Sequence, residues 1–180
     1  MIRDKEVITK TTKVLLYLLM AKGLAKERLA YPSMQKALYP EYYKYHADRR
    51  FEYLLRRLYK QGWLKTELKE TKRIISLTSK GELEALFQKV RLQPTPKHWD
   101  GKWRIVMFDI PEGARSVRDK LRNLLHSFGF FPLQASVYVY PYALSQNAVV
   151  LLKKSGLFRY IRIAKAEFDN DSDLRKQFDI

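Results

Sequence analysis

The sequence predicts an α+β protein of two small domains, because its hydrophobic period changes along the chain. Helical periods dominate the start, two short β-rich runs and another helix follow, and a β-α-β-β-α-β series fills the second half. Between them lies RLQPTPKHWDG, whose prolines disfavour regular structure. We therefore predict an N-terminal winged helix-turn-helix over residues 1–92, a linker over 93–101 and a ferredoxin-like domain over 102–180.

In the first half, apolar residues recur at helical spacing, and two β-rich runs joined by KET are typical of a hairpin. The predicted elements are a helix over 9–22, a short helix capped by Ser33, a helix over 46–61, a hairpin of WLKTEL and RIISLT, and a helix to about residue 90. Ser79 and Glu82 form a possible capping box for that last helix.

In the second half, the predicted order is a strand over 102–109, a helix over 112–128, strands near 130–133 and 136–140, a helix over 145–154 and a strand over 160–167. Right-handed packing of this series gives a four-stranded antiparallel sheet with both helices on one face.

The most informative bulk property is a formal net charge of +16, from 35 Lys and Arg against 19 Asp and Glu. The excess concentrates in residues 1–98, whose net charge is +12, against +4 for residues 99–180. Such a balance indicates a polyanionic partner, and we expect double-stranded DNA. The alternative is a charge that only maintains solubility.

The composition excludes several classes of site. The chain has no cysteine, so it forms neither disulfides nor thiolate metal sites, and its three histidines are too scattered for a local zinc site. Lys10, Lys13 and Lys22 flank the apolar run VLLYLLMA and keep it too short for a signal peptide or membrane span. We expect a cytoplasmic protein with no membrane partner and no cofactor, magnesium being the one possible exception.

The helix predicted over 46–61 has two different faces. Its apolar stripe centres on Phe51, Leu54 and Leu58, and the opposite face is basic and aromatic. In a winged helix-turn-helix, this helix lies in the major groove and the hairpin lies beside it on the backbone. The predicted DNA-contacting residues are Arg49, Arg50, Tyr53, Arg56, Arg57 and Lys60 in the helix and Lys69, Lys72 and Arg73 in the hairpin. Arginines suit base edges, whereas lysines suit phosphates. A merely solvated face is the alternative.

The stretches LTSKGELEALF and HWDGKWRIVMFDIPEGARSVRDKLRNLLHSFGFFPLQASVYVYP, with the winged-helix start, resemble the PaaX family of transcriptional repressors. The resemblance spans nearly the whole chain and is most specific from Trp99 to Pro141. The second half also resembles the CRISPR-associated ferredoxin-like subunit that partners the spacer-acquisition integrase, some members of which are metal-dependent nucleases. Regulators of the PaaX type usually carry a further C-terminal region, so effector sensing of an aryl-CoA ester is not implied.

Asp109, which precedes Ile110 and Pro111, allows three interpretations. In the nuclease-like relatives, the matching aspartate of each subunit lies at a two-fold interface and is implicated in binding magnesium, which the resemblance extends to Asp109. A carboxylate here also suits a turn or helix start, and this interpretation is favoured over an interface role or catalysis. No catalytic residue is assigned. Arg115, Arg118 and Arg122 are expected on a solvated helix flank.

The strand SVYVY predicts a face for self-association. Its alternation places Val137 and Val139 towards the helices and Tyr138 and Tyr140 on an open sheet face, which we expect to form a dimer interface together with, or instead of, the C-terminal segment. The favoured interpretation is a homodimeric, sequence-specific DNA-binding regulator, and we expect a repressor that acts by occupation of an operator. The alternative is a magnesium-dependent nuclease or CRISPR-adaptation subunit with an added DNA-binding domain.

Overall fold

A computed structural model describes residues 10–21, 24–25, 47–69, 72–96 and 98–180 of the chain. The chain forms two compact units that divide between Lys89 and Val90. Helices and antiparallel strands occur in both, which confirms the α+β class. The short helix predicted after Ser33 lies outside the described residues. None of the helices in these ranges combines the length and the apolar character that crossing a bilayer requires.

The first unit combines helices with a small antiparallel sheet. Its elements are α1 (Lys10–Ala21), β1 (Leu24–Ala25), α2 (Ala47–Lys60), β2 (Leu64–Lys69), β3 (Lys72–Leu77) and α3 (Ser79–Arg91). The hairpin of β2 and β3 is confirmed, and β1 pairs with the other edge of β3, which gives the order β1-β3-β2. Ile75 is the centre of this sheet, because Leu24 and Thr66 are its partners on the two sides.

A leucine-rich core holds these elements together. The predicted apolar stripes of α1 and α2 are confirmed where their side chains are described, and the buried members are Val14, Leu15, Leu18, Leu54, Leu55 and Leu58. They pack with Leu64, Ile75 and Leu77 of the sheet and with Ala85 of α3. Burial of one such leucine or isoleucine side chain stabilises the unit by about 1.5–3 kcal/mol relative to exposure. Packing, rather than helix propensity, therefore orients α2.

The start of α3 is fastened to the turn that follows α2. Thr78 Oγ1 accepts a hydrogen bond from the Gly81 amide at 3.1 Å and donates one to the Gly62 carbonyl at 2.6 Å. The Thr78 amide donates to the Trp63 carbonyl at 3.0 Å. The capping side chain is thus Thr78, one residue before the predicted Ser79, because the first helical residue is Ser79 itself.

The second unit places helices around a larger sheet. Its elements are β4 (Trp103–Phe108), a 3-10 turn (Glu112–Ala114), α4 (Arg115–Ser127), β5 (Phe131–Gln134), β6 (Val137–Tyr140), α5 (Gln146–Lys154), a 3-10 turn (Phe158–Tyr160), β7 (Ile161–Ala166) and α6 (Ser172–Phe178). The strand order is β5-β6-β4-β7, and every neighbouring pair is antiparallel. The β-α-β-β-α-β order agrees with the sequence pattern, and α6 is an addition to it.

Both faces of this sheet carry packed side chains. On one face, Tyr138 contacts the ring of His126 of α4 at a centroid distance of 5.3 Å. On the opposite face, Val139 and Trp103 form a buried cluster with Leu174 of α6. Successive strand residues point to opposite faces, so α4 and α6 lie on different sides of the sheet. The C-terminal helix thereby covers part of a face that the sequence left open.

The predicted direction of the β6 side chains is wrong. Tyr138 is buried, and its hydroxyl lies 3.4 Å from His126 Nε2. Tyr140 is half-buried and packs on Phe130 at a centroid distance of 5.1 Å. Val139 is covered by α6 and Trp103, so the sheet face that carries Val139 is not the face towards α4. Tyr138 lies on the face towards α4 and is therefore not available on an open sheet face.

Strand β5 is short and irregular. Its pairing with β6 shifts register between Pro132 and Gln134, and the strand is one edge of the sheet. Proline has no amide hydrogen to donate, so it is tolerated at a sheet edge and not in the middle. The regular part of the sheet is therefore β6, β4 and β7.

Substitution of Gly81 by alanine is expected to destabilise the first unit. A Cβ atom there would lie 2.0 Å from the Trp63 carbonyl oxygen, so the backbone of α3 or of the turn must move. Overpacking of this kind costs about 1–3 kcal/mol. Calorimetry should show a lower melting temperature. Gly113→Ala is the matched control, since a Cβ at Gly113 meets nothing within 4 Å. Equal melting temperatures for the two variants would contradict the proposed close packing.

Candidate nucleic-acid interface

The outer face of α2 is basic and aromatic. Leu54, Leu55 and Leu58 are buried, whereas Tyr53 is 71% exposed and Arg56, Arg57 and Lys60 are exposed as well. None of these three cations forms an ion pair within the described part of the chain, and their charge is therefore directed to solvent. Arg49 and Arg50 lie in the first turn of α2, and their side chains are outside what the structure describes.

Polar contacts hold α2 against the hairpin. The hydroxyl of Tyr59, near the end of α2, lies 2.5 Å from Thr66 Oγ1 on β2. Gly62 turns the chain with a φ of 70°, and the Trp63 amide donates to the Leu58 carbonyl at 3.0 Å. Lys80 Nζ donates to the Gln61 carbonyl at 2.9 Å. The exposed face of α2 therefore has a fixed position relative to β2.

The hairpin carries the other predicted contacts. Lys69 pairs with Lys72 across the last register position, and Leu68 pairs with Arg73. The side chains of the three basic residues are outside the described part, so only their backbone positions are known. Lys65 is half-exposed and contacts Glu67 Oε1 at 2.5 Å, which neutralises part of the charge of β2. The structure thus brings the basic hairpin residues together at one end of the hairpin.

Asp109 is an exposed residue at the end of β4. Its amide donates to the Tyr160 carbonyl at 3.1 Å, which extends the pairing of β4 with β7 by one residue. Neither the 3-10 turn nor α4 has a side-chain cap, so Asp109 does not cap either element, and its interpretation as a turn residue stays a prediction. Within the described residues, no group of three or more histidine, aspartate or glutamate side chains could hold a metal ion.

The WDGKWR segment forms a polar network in the second unit. Arg104 Nη1 and Nη2 donate to the two carboxylate oxygens of Asp100 at 2.6 and 2.8 Å. Lys165 Nζ lies 3.0 Å from the same carboxylate. The Arg104 guanidinium, aided by Lys165, keeps the pKa of Asp100 far below its ordinary range. Gly101, with a φ of 73°, allows the chain to turn between them.

A second network attaches the C-terminal helix. The buried indole of Trp103 donates to Asp171 Oδ2 at 3.0 Å, and Arg175 Nε donates to Asp171 Oδ1 at 2.8 Å. Arg175 and, to a smaller extent, Trp103 lower the pKa of Asp171. The Arg175 guanidinium also lies over the Trp99 ring, 4.7 Å from its centroid, and Trp99 contacts Trp103 at 5.0 Å. Trp99 and Asp100, inside the predicted linker, are thus bonded to the second unit.

One comparison with known proteins identifies the second unit. Residues 96–178 match the family model described as the PaaX protein central Cas2-like domain. Because of this similarity, we call the second unit the PaaX domain. The resemblance drawn from WDGKWR, FDIPE and LQASVYVYP is therefore confirmed. No curated protein matches the chain.

In this PaaX domain, two arginines of α4 have structural contacts that the sequence did not indicate. Arg118 Nη2 donates to the Ile110 carbonyl at 2.8 Å, and Arg122 Nη2 donates to the Ala135 carbonyl at 2.9 Å. Both are half-buried, so the prediction of a purely solvated flank holds only for Arg115, which pairs weakly with Asp119 at 3.9 Å. The two arginines fix the loops at the ends of β4 and β5.

A cavity of about 310 Å³ lies beside α4 and α5 in the PaaX domain. Phe128, Phe130 and Tyr140 supply most of its aromatic lining, and Pro94 and Pro96 close one side. Its two serine hydroxyls have local partners, since Ser145 caps α5 and the Ser127 hydroxyl donates to the Leu124 carbonyl. None of the lining residues carries a carboxylate, an amine or an imidazole. The cavity offers no acid-base pair for catalysis.

The two lowered aspartate pKa values predict a loss of stability in acid. A carboxyl whose pKa is depressed by folding stabilises the native state above its unfolded pKa of about 3.9, and this contribution disappears as the pH falls through the folded value. The melting temperature of the PaaX domain should therefore be flat from neutral pH to about pH 5 and fall below pH 4. The melting temperature of Asp100→Asn should be lower than that of the native chain at neutral pH, and it should depend less on pH. Asp169→Asn, an exposed aspartate without a described ion pair, is the control. A pH profile of Asp100→Asn equal to that of the native chain would contradict the proposed role of the network.

Proposed function

We propose that this chain is a transcription regulator that binds double-stranded DNA as a homodimer. The observation that carries the proposal is the outer face of α2, where Tyr53, Arg56, Arg57 and Lys60 are exposed opposite a buried leucine stripe. A helix of this type can lie in the major groove, with arginines on base edges or phosphates and Tyr53 on a sugar or thymine methyl. The match to a PaaX domain supports the same class of function.

The finer fold assignments belong to this proposal. A winged helix-turn-helix needs a helix followed by a hairpin that reaches the backbone beside it, and α2 with β2 and β3 supplies both. Attachment of β1 to β3 and of Tyr59 to Thr66 supports a rigid unit of that kind. The strand order β5-β6-β4-β7 supports a ferredoxin-like second domain. A cytoplasmic location and repression by occupation of an operator follow from this function.

The proposed dimer uses the part of the second sheet that α6 leaves uncovered. Met107 is 38% exposed, and its register partners are Val137 on β6 and Arg162 on β7. Strand alternation places Asp109 on the same side as Met107. A two-fold axis brings the same patch of two copies together. Each copy would then present the acidic Asp109 and the basic Arg162 beside the apolar Met107. Asp109 would pair with the partner's Arg162. These residues replace Tyr138 and Tyr140 as the proposed interface.

Replacement of Arg56 by alanine is expected to weaken duplex binding by about 1–3 kcal/mol where the arginine contacts a base. Lys60→Ala removes one proposed phosphate contact, so the slope of log affinity against log salt should become less steep by about one. A duplex selected by the chain from a random pool supplies the probe, and fluorescence anisotropy at several salt concentrations supplies the affinities. Arg115→Ala removes an exposed arginine of the second unit and is the matched control.

Two results would contradict the regulator. One is an affinity that Arg56→Ala leaves unchanged while Arg115→Ala lowers it. The other is magnesium-dependent cleavage of the duplex that Asp109→Ala abolishes, which would favour the nuclease alternative and a metal at Asp109.

The dimer is tested by a charge exchange. Arg162→Asp should shift the chain towards monomer in analytical ultracentrifugation, because two acids then meet across the axis. The double variant Arg162→Asp with Asp109→Arg should restore the dimer. Leu133→Asp, an exposed position on the irregular β5, is the control. A dimer that survives Arg162→Asp unchanged would place the interface elsewhere.

A further inference from the structure

Two large hydrophobic side chains of the first unit are exposed among the described residues. They are Tyr53 on α2 and Leu68 on β2, and each is 71% exposed. A role for Tyr53 is part of the proposed function, whereas Leu68 has none there. Leaving a leucine in water forfeits the gain of burying it, so the surroundings of Leu68 indicate what could cover it.

Leu68 lies where the hairpin leaves the core. Along β2, Leu64 is buried, Thr66 bonds to Tyr59, and Leu68 is the next residue on the same face. Because α2 contacts this face at Thr66, Leu68 projects from the hairpin on the side that carries α2. It is therefore exposed next to the surface proposed to bind DNA.

Three of the hairpin residues nearest Leu68 in sequence or register are basic, although Glu70 follows Lys69 in the sequence. Lys69 follows Leu68, Arg73 is the partner of Leu68 in register, and Lys72 is the partner of Lys69. The one acid of β2, Glu67, has Lys65 at 2.5 Å and is thereby neutralised. An exposed leucine beside basic register positions suits a partner that offers anionic groups next to an apolar surface. The minor groove of DNA has this chemistry, with phosphates on both walls and sugars and base steps between them.

We propose that Leu68 enters the minor groove as a wedge between two base pairs and bends the bound duplex. The inference rests on the proposed function, because it requires that α2 occupies the neighbouring major groove. Apolar wedges of this kind unstack a step and kink the duplex by about 20–90° towards the major groove. Pyrimidine-purine steps unstack most easily, so the hairpin would favour such a step beside the half-site.

The test uses the full chain and a duplex that the native chain selects from a random pool, labelled with a donor and an acceptor dye at its ends. Energy transfer reports the bend, and 2-aminopurine at the contacted step reports unstacking. We expect Leu68→Ala to lower the bend and the 2-aminopurine signal and to weaken affinity about tenfold. Lys69→Ala should weaken affinity and leave the bend unchanged. Leu133→Ala, an exposed leucine of the second unit, should change neither.

The possible failures are distinguishable. If the native chain binds no duplex, the proposed function and the wedge both fail. If it binds without bending, or if Leu68→Ala keeps the full bend, the wedge alone fails and the regulator stands. A bend unchanged by Leu68→Ala would assign the leucine to a protein partner. Because Leu68 is exposed, its replacement should leave the circular dichroism spectrum unchanged. A change in bend or affinity then reflects the bound complex and not the fold of the free chain.

Discussion

The hydrogen bond from the Trp103 indole to Asp171 is the interaction on which the second unit depends. Trp103 lies in the central strand β4 and is fully buried, so its N–H needs a partner inside the protein. Asp171 supplies that partner at the start of α6, and Arg175 holds the same carboxylate from one turn further on. The sheet thereby gains a helix on the face opposite α4. The WDGKWR motif therefore has a structural role, and its two tryptophans stabilise the position of α6 through Asp171 and Arg175.

The first unit depends on a different constraint, the two-sided character of α2. Its leucines are fixed in the core, and its turn is fastened by Thr78, so the helix has little freedom to rotate about its own axis. The cations that remain outside have no acidic partners among the described residues. Solvent-exposed arginine and lysine side chains are the groups that neutralise a phosphate backbone, which is why the proposed function rests on this face.

Much of this could be predicted from the sequence where periodicity was the signal. The stripes of α1 and α2, the hairpin and the β-α-β-β-α-β order follow from spacing, which reports local burial. The face that Tyr138 occupies could not be predicted, because valine and tyrosine both suit a buried strand face and α6 decides between them. The contacts of Arg118 and Arg122 also depend on loops that come close only in three dimensions. For Asp109 the sequence indicated a turn or a helix cap made by the side chain. Its described hydrogen bond is made by the backbone amide, which donates to the Tyr160 carbonyl.

The irregularity of β5 has a consequence for assembly. A straight edge strand exposes a row of amide and carbonyl groups to which a second molecule can add, and the process can repeat without limit. At β5, Pro132 removes one donor and the shifted register disturbs the rest of the row. Head-to-tail growth of fibres through this edge is thereby discouraged. This protection applies to one edge of the sheet, since β7 forms the other edge.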